Sequence, residues 1–407
     1  MGFHAGRTVL APHVMPGERA EVEEIRQQKG VIHARPLRIL DPSPARIEPA
    51  CPYFGRCGGC QYQHFAPAAQ VGAKVEILRE TLRRLGQVKW EQPIPAHSGP
   101  AWNYRNQAQL KLAHLPDGAR GVGFFEAESN RLVPVGACPI LSPRLNSLLA
   151  VLGSEAWLQA LGSGQELELM ADHNDENVMM TLNGDWGAAE AEALAGKFRD
   201  ELVGVSSVAF IGPQRLRVFG ESHLLYRVDE FTYRVSPTSF FQSARFLLPE
   251  LVAAVASPGD GGGVAMDLFA GVGLFSLPLA KQFDQVIAVE SHPRAAADLA
   301  ANARTTPGNK IRAVAATAYD FLRRCGQRHP RLVVMDPPRA GVGAEALKLL
   351  LAVQPQRIHY VSCSPPTLAR DLGFLLRHGY HLESLDLFDC FPQTYHIEAL
   401  ARLSYAG

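Results

Sequence analysis

The sequence predicts an α/β fold in which a Rossmann-like domain closes the chain and is preceded by an N-terminal OB-like β-barrel and an α+β middle domain. Three observations predict it. From residue 236 onward, strand-like runs at 264–268, 286–289, 332–335 and 357–361 each end in a glycine loop or an acid and lead into a helix, the pattern of a parallel sheet with helices on both faces. The first 47 residues instead read as short strands separated by turns. A chain of 407 residues, 47% hydrophobic, exceeds what one core usually supports. The expected domains are 1–47, 48–235 and 236–407.

In order along the chain, strands are expected at 7–12, 18–25 and 31–40, broken at Met15-Pro16-Gly17 and at 27–30. Pro42, Pro44 and Pro49 mark a linker. Val71, Val75, Leu78, Leu82 and Leu85 recur at helical spacing up to Gly86, which reads as a C-cap. Residues 106–112, the turn Pro116-Asp117-Gly118 and residues 121–127 read as a β-hairpin, and further strands are expected at 166–171, 178–182 and 205–211.

Composition narrows the function. No run approaches the roughly 20 apolar residues that span a bilayer, and the N-terminus lacks the pattern of a signal peptide, so a cytoplasmic protein without a membrane partner is expected. The net charge is zero, but residues 1–120 hold 16 Lys and Arg against 10 Asp and Glu, while the remainder holds 24 against 30. A phosphate-bearing partner would therefore meet the N-terminal third first. Of seven cysteines, Cys51, Cys57 and Cys60 fall in CPYFGRCGGCQYQH, with Cys138 distant in VGACPIL. By spacing alone such a quartet suits zinc or an iron–sulfur cluster equally.

The strand 264–268 runs into Asp267-Leu268-Phe269-Ala270-Gly271-Val272-Gly273, where glycines let backbone N–H groups approach a ligand. Glu290 ends the next strand, where an acid can accept hydrogen bonds from ribose hydroxyls. The loop lacks the third glycine of a dinucleotide fingerprint, which favours S-adenosylmethionine over NAD. Two more strand ends carry unusual residues, Asp336-Pro337-Pro338-Arg339 and Ser362-Cys363-Ser364-Pro365-Pro366. Pro365 opens a helix whose N-terminal dipole would lower the Cys363 thiol pKa and make a nucleophile of it, whereas Cys325 and Cys390 read as small buried hydrophobes. Carbon 5 of uracil needs such a thiolate at carbon 6 before it can accept a methyl group, and afterwards a base for its own proton; Glu398, in FPQTYHIE, is the candidate base.

Taken together, CPYFGRCGGCQYQH (51–64), YRNQAQL (104–110), SFFQ (239–242), DLFAGVGLF (267–275), DPPRAGV (336–342), SCSPPTLARDL (362–372) and FPQTYHIE (391–398) resemble the RNA uracil-5-methyltransferase family, in particular its iron–sulfur members that modify 23S ribosomal RNA. The resemblance implies a class I methyltransferase domain, Cys363 as nucleophile, Glu398 as base, and Cys51, Cys57, Cys60 and Cys138 as ligands of a 4Fe-4S cluster. It also places Gln242, Phe269, Glu290 and Asp336 around S-adenosylmethionine and the target base, with Phe240 beside that base. The first 47 residues resemble a TRAM domain, an RNA-binding OB variant that here begins part-way through, and the target uridine would have to be extruded from folded RNA.

The chain departs from the family pattern at Leu274, Ala315-Ala316-Thr317, Ser364 and Gln393. Three rival readings stand beside 23S ribosomal RNA as substrate. One is transfer RNA as the substrate; the second is an amino-group methyltransferase using Asp336-Pro337-Pro338; the third is a non-catalytic RNA-binding factor. A monomer is expected, because RNA must reach several domains at once.

Overall fold

Four strands open the chain in the computed structural model, which describes residues 2–162, 165–213, 215–257, 261–326 and 328–405. They are β1 (Gly2–His4), β2 (Arg7–Leu10), β3 (Arg19–Gln28) and β4 (Val31–Asp41), ordered β1-β2-β4-β3. Three register shifts between β3 and β4 bend and coil this ribbon, as bulges do. Its own buried core is only Val9, Ile32 and Ala34 with Ala11 and Val22 against them, too little to fix it. Polar contacts complete the seat. Arg46 grips Glu18 with two hydrogen bonds of 2.6 Å, and His13 packs its ring 4.8 Å from Phe54 of the cysteine-rich segment.

Helix α1 (Pro67–Thr81) follows, with proline in its first turn, where no N–H is needed. It runs into one π-type turn, Leu82–Gly86, and stops at Gln87 in the left-handed region (φ 56°), whose N–H bonds the Leu82 carbonyl. Gly86 is therefore not the cap that the sequence suggested. A Cβ there would lie 2.3 Å from the Ala369 carbonyl oxygen, and one on Gly373 would lie 2.5 Å from the Gly86 oxygen, so two glycines let two helices touch backbone to backbone.

After β5 (Ala96–Ser98) comes a seven-stranded sheet of β6 (Gln107–His114), β7 (Arg120–Phe125), β8 (Leu132–Pro134), β9 (Glu166–Ala171), β10 (Val178–Asn183), β11 (Val205–Ile211) and β12 (Leu216–Gly220). Helices α2 (Pro143–Leu152), α3 (Glu155–Ala160) and α4 (Ala188–Glu201) share its core, where Leu149, Leu152, Leu167, Val178 and Phe198 are wholly buried. The expected hairpin is β6–β7. A two-stranded ribbon, β13 (Leu224–Val228) and β14 (Phe231–Val235), leads out of it.

The remaining elements build the third sheet: α5 (Leu248–Ala256), β15 (Val264–Leu268), α6 (Ser276–Gln282), β16 (Gln285–Glu290), α7 (Pro293–Thr305), β17 (Ile311–Ala315), α8 (Ala318–Cys325), β18 (Leu332–Met335), α9 (Ala344–Val353), β19 (Arg357–Ser362), α10 (Pro365–Arg377), β20 (Tyr380–Asp389) and β21 (Glu398–Tyr405). The order is β17-β16-β15-β18-β19-β21-β20-β5. Strands β15 to β19 run parallel and β21 enters antiparallel to β19 and β20. The order reverses between β15 and β18, and that switch point opens a crevice at the strands' carboxyl ends. Strand β5, from far earlier in the chain, pairs with β20 and forms the edge of the sheet. No helix among the described residues is long and apolar enough to cross a membrane.

Candidate active site

The glycine loop after β15 turns through three left-handed residues, two of them glycines. Phe269 (φ 67°), Gly271 (φ 56°) and Gly273 (φ 97°) are all left-handed, and a Cβ on Gly273 would lie 2.9 Å from Leu299. Glu290 at the end of β16 accepts from the backbone N–H groups of Gly271 (2.8 Å) and His292 (2.6 Å). The acid thus stiffens the loop beside which it stands. Asp267 is fully buried beneath, accepts from Ser276 Oγ at 2.5 Å, and leaves Oδ1 without a partner. Burial pushes its pKa up to about 7, assisted by the charges of Asp336 and Glu290.

Gln242 reaches the same crevice from the 236–242 segment and donates to Asp336 Oδ2 at 3.3 Å. That segment hangs on one residue that the sequence did not single out. Buried Asp298 of α7 accepts from Ser236 N (2.8 Å), Ser236 Oγ (2.7 Å), Ser239 Oγ (2.7 Å) and Arg234 Nε (3.0 Å). Phe240 between these anchors is 69% exposed, an aromatic face held out beside the crevice. Asp336 is pushed up to about 7 by burial, partly offset by Gln242.

Cys363 sits between the end of β19 and the start of α10. The antiparallel register pairs Ser362 with Ala399, so the next step along β19 faces Cys363 toward Glu398, the first residue of β21. Glu398 is 3% exposed, its Oε1 has no hydrogen-bond partner, and burial with the Asp336 charge raises its pKa well above the usual carboxylate range, against the pull of Arg339. The Cys363 thiol is raised to about 11, first by burial, then by Glu398 and Asp336, with Arg339 acting the other way. This corrects the expectation that the α10 dipole leaves a resting thiolate: a helix end contributes at most about 1–2 kcal/mol, and burial beside two acids outweighs it. Arg339 is itself placed by His396, 3.2 Å from its Nη2.

The departures from the family pattern have packing roles. Leu274 is buried and its carbonyl accepts from Tyr233 Oη at 2.9 Å, Ser364 stands at the N-terminal end of α10 with its carbonyl accepting from Leu368 N, and Gln393 is buried with φ 68°. Cys325 and Cys390 are buried, as expected of small hydrophobes.

The other four cysteines meet elsewhere. Cys51, Cys57, Cys60 and Cys138 are free thiols lining one cavity of ≈ 180 Å³ with Tyr53 and Phe54. Burial first, then the neighbouring thiols among other groups, pushes Cys60 up to about 12 and Cys138 up to about 11. The frame is polar: Cys51 N donates to Gln63 Oε1 (3.0 Å), Cys138 N to Asn146 Oδ1 (2.7 Å), and Gly59 N to Cys57 Sγ (3.4 Å). Among the described residues no three His, Cys, Asp or Glu side chains converge closely enough to share a single metal ion.

Comparison with known proteins agrees with this geometry. An uncharacterized RNA methyltransferase of Aquifex aeolicus is 32% identical over 406 residues, covering 98% of this chain and 93% of the relative. A 23S rRNA (uracil(1939)-C(5))-methyltransferase of Alkalilimnicola ehrlichii is 32% identical, covering 98% of this chain and 92% of the relative. The crystal structure of Pyrococcus abyssi tRNA (uracil-54, C5)-methyltransferase in complex with S-adenosyl-L-homocysteine superposes with a TM-score of 0.76 at 23% identity, covering 97% of this chain and 95% of that one. This likeness shows the class I methyltransferase fold. With the tRNA (Uracil-5-)-methyltransferase family profile matching residues 67–404, the chain belongs to that family of S-adenosylmethionine-dependent RNA (uracil-5-)-methyltransferases.

Proposed function

We propose that the protein methylates carbon 5 of a uridine in 23S ribosomal RNA through a covalent adduct on Cys363, with Glu398 as the base. The observation that carries this reading is the convergence of Cys363, Glu398 and Asp336 at one crevice, with a buried carboxylate oxygen of Glu398 left without a partner. Cys363 gives up its thiol proton to solvent, Sγ adds to carbon 6 of the uracil ring, and carbon 5, made nucleophilic, takes a methyl group whose donor sulfur leaves as a neutral thioether. Glu398 then takes the proton from carbon 5, the ring double bond re-forms and Sγ is expelled. Gln242 and Asp336 orient the reactants, and Phe240 offers an exposed aromatic face on which an extruded base stacks.

S-adenosylmethionine, when bound, supplies an electrophilic methyl group on a sulfonium centre, held by Gln242, Phe269, Glu290 and Asp336. The donor set fits a cation: Asp267, Glu290, Asp336 and Glu398 surround the crevice, and two of them carry buried oxygens without a partner. A positive charge placed there favours the ionised forms of Cys363, Asp336 and Glu398 together.

Cys51, Cys57, Cys60 and Cys138 are the proposed ligands of a 4Fe-4S cluster. Supporting this are four unpaired thiols around one cavity. The β1–β4 sheet (1–47) is proposed as a TRAM-like, OB-type RNA-binding module, and the enzyme as a cytoplasmic monomer. Ribosomal RNA is favoured by the relative named above and by the four-cysteine cavity. Unmodified ribosomal and transfer RNA, incubated separately with protein and S-adenosylmethionine, are digested to nucleosides for mass spectrometry. New 5-methyluridine in the ribosomal fraction alone is the expected result; methylation at an exocyclic nitrogen, or none in either fraction, would overturn the proposal.

A further inference from the structure

The segment joining β20 to β21, which ends at the proposed base Glu398, is held from outside its own sheet by three devices, two of them buried side chains. The first is Lys74 of α1, wholly buried, whose Nζ donates to Asp389 Oδ1 at 2.5 Å and to the Phe391 carbonyl at 2.9 Å. The second is Gln70, one helical turn earlier and 1% exposed. Its Oε1 accepts from Gln393 N (2.8 Å), while its Nε2 donates to Gln393 Oε1 (2.9 Å) and to the carbonyls of Tyr62 (3.1 Å) and Phe65 (2.9 Å). The third is the chain just after Cys60: Gln61 N and Tyr62 N both donate to the Gln393 carbonyl at 2.9 Å. Tyr104 Oη adds a bond to the Pro392 carbonyl at 3.0 Å.

Such an arrangement is more than packing requires. A buried lysine–carboxylate pair is no more stabilising than well-packed apolar residues of the same volume, yet it fixes one geometry. Gln393 adopts a left-handed backbone that costs energy unless its surroundings enforce it, and they do so through four hydrogen bonds to its side chain and backbone. Glu398 Oε1, like Gln393 Nε2, has no hydrogen-bond partner. Its aim is set by the backbone entering β21, and hence by what holds residues 389–393.

We infer that Gln70 and Lys74, with the Gln393 turn they grip, are positioning residues that set the geometry of proton removal by Glu398 and tie it to the cysteine-bearing segment. The inference rests on Glu398 being the base. If the turn shifts, thiolate addition and methyl transfer proceed as before, but loss of the carbon 5 proton slows. The methylated covalent protein–RNA adduct then persists, because Sγ cannot leave until that proton has gone.

The test uses full-length protein, S-adenosylmethionine and 23S rRNA transcribed in vitro with tritium at uridine carbon 5. Adduct is read on denaturing gels and proton removal as tritium release, for wild type, Gln70→Leu, Gln393→Gly and Glu398→Gln. Expected are strong adduct accumulation in Glu398→Gln and, in Gln70→Leu, tritium release slowed roughly tenfold or more with accumulating adduct and unchanged S-adenosylmethionine affinity. Gln393→Gly keeps the left-handed backbone while removing one acceptor, so it folds even if Gln70→Leu does not, and a smaller delay of the same kind is expected. Adduct in Glu398→Gln with wild-type tritium release in both glutamine variants would overturn the positioning role alone. No adduct in Glu398→Gln would overturn the assignment of the base, and the inference with it.

Discussion

Cys363 and Glu398 stand opposite one another where two adjacent antiparallel strands end, one step beyond the last paired residues, Ser362 and Ala399. The proposed nucleophile and the proposed base are thereby held across one pair of hydrogen-bonded strands. Substitution should separate the two roles. Cys363→Ala should lower turnover by roughly a thousandfold or more and form no adduct, whereas Glu398→Gln should lower turnover and trap adduct. Equal loss with no adduct in either variant counts against the division of labour.

Cofactor affinity should rise with pH. Asp267 and Asp336, both raised to about 7 by burial, hold protons below that value, and a sulfonium binds best when they have lost them. Below pH 7 binding therefore releases protons, and the dissociation constant for S-adenosylmethionine should fall between pH 6 and 8 and level off above. S-adenosylhomocysteine, whose sulfur is neutral, should show a much shallower dependence. Calorimetry in buffers of different ionisation enthalpy reads both effects, and parallel pH profiles for the two ligands would refute the electrostatic account.

Asp298→Ala should loosen the Phe240–Gln242 segment without touching any reacting group. Four hydrogen bonds end on that carboxylate, and Ser236, Ser239 and Arg234 lose their common acceptor. A destabilisation of about 3–5 kcal/mol, together with weaker cofactor binding, is expected from breaking a buried charged hub. Chemical denaturation and calorimetry check the two effects.

Gly86→Ala should destabilise the protein by about 1–3 kcal/mol, the usual cost of forcing extra volume into a packed site. The new methyl group meets the Ala369 carbonyl, and backbone cannot rotate away as a side chain can. Replacement at Gly72, where nothing lies within 4 Å, is the control and should be neutral or stabilising in a helix.

Cys60→Ser should abolish iron and sulfide incorporation during anaerobic reconstitution. Stoichiometric zinc in the wild-type protein would point to a different occupant of the same cavity.

Much of the third sheet was legible because parallel strands buried on both faces are continuous apolar runs, and each ended in a residue out of keeping with a core: Glu290, Asp336, Cys363. The same logic could not find Lys74 or Gln70. A lysine at helical spacing reads as a solvated face, and its partner Asp389 lies 315 residues away. Asp298 was equally silent, one acid in an alanine-rich helix whose meaning comes from a loop 62 residues earlier. The thiol of Cys363 was misjudged in its resting state because the helix ahead of it is visible in sequence while the two acids around it are visible only in space. Gly86 was misread for the same reason: its neighbour is Ala369.

The pairing of β5 with β20 joins residue 96 to residue 387 as the outermost strand of the reacting sheet. A ribosome therefore releases the first hundred residues long before the strand that receives them exists. Helix α1, with Lys74 on its inner face, must wait in the same way for Asp389. The middle sheet is made during that wait, so birth order and assembly order differ, and the enzyme's last layer closes only when the C-terminal strands emerge. A nascent chain halted before residue 380 should leave α1 open to proteolysis, and one released at full length should protect it.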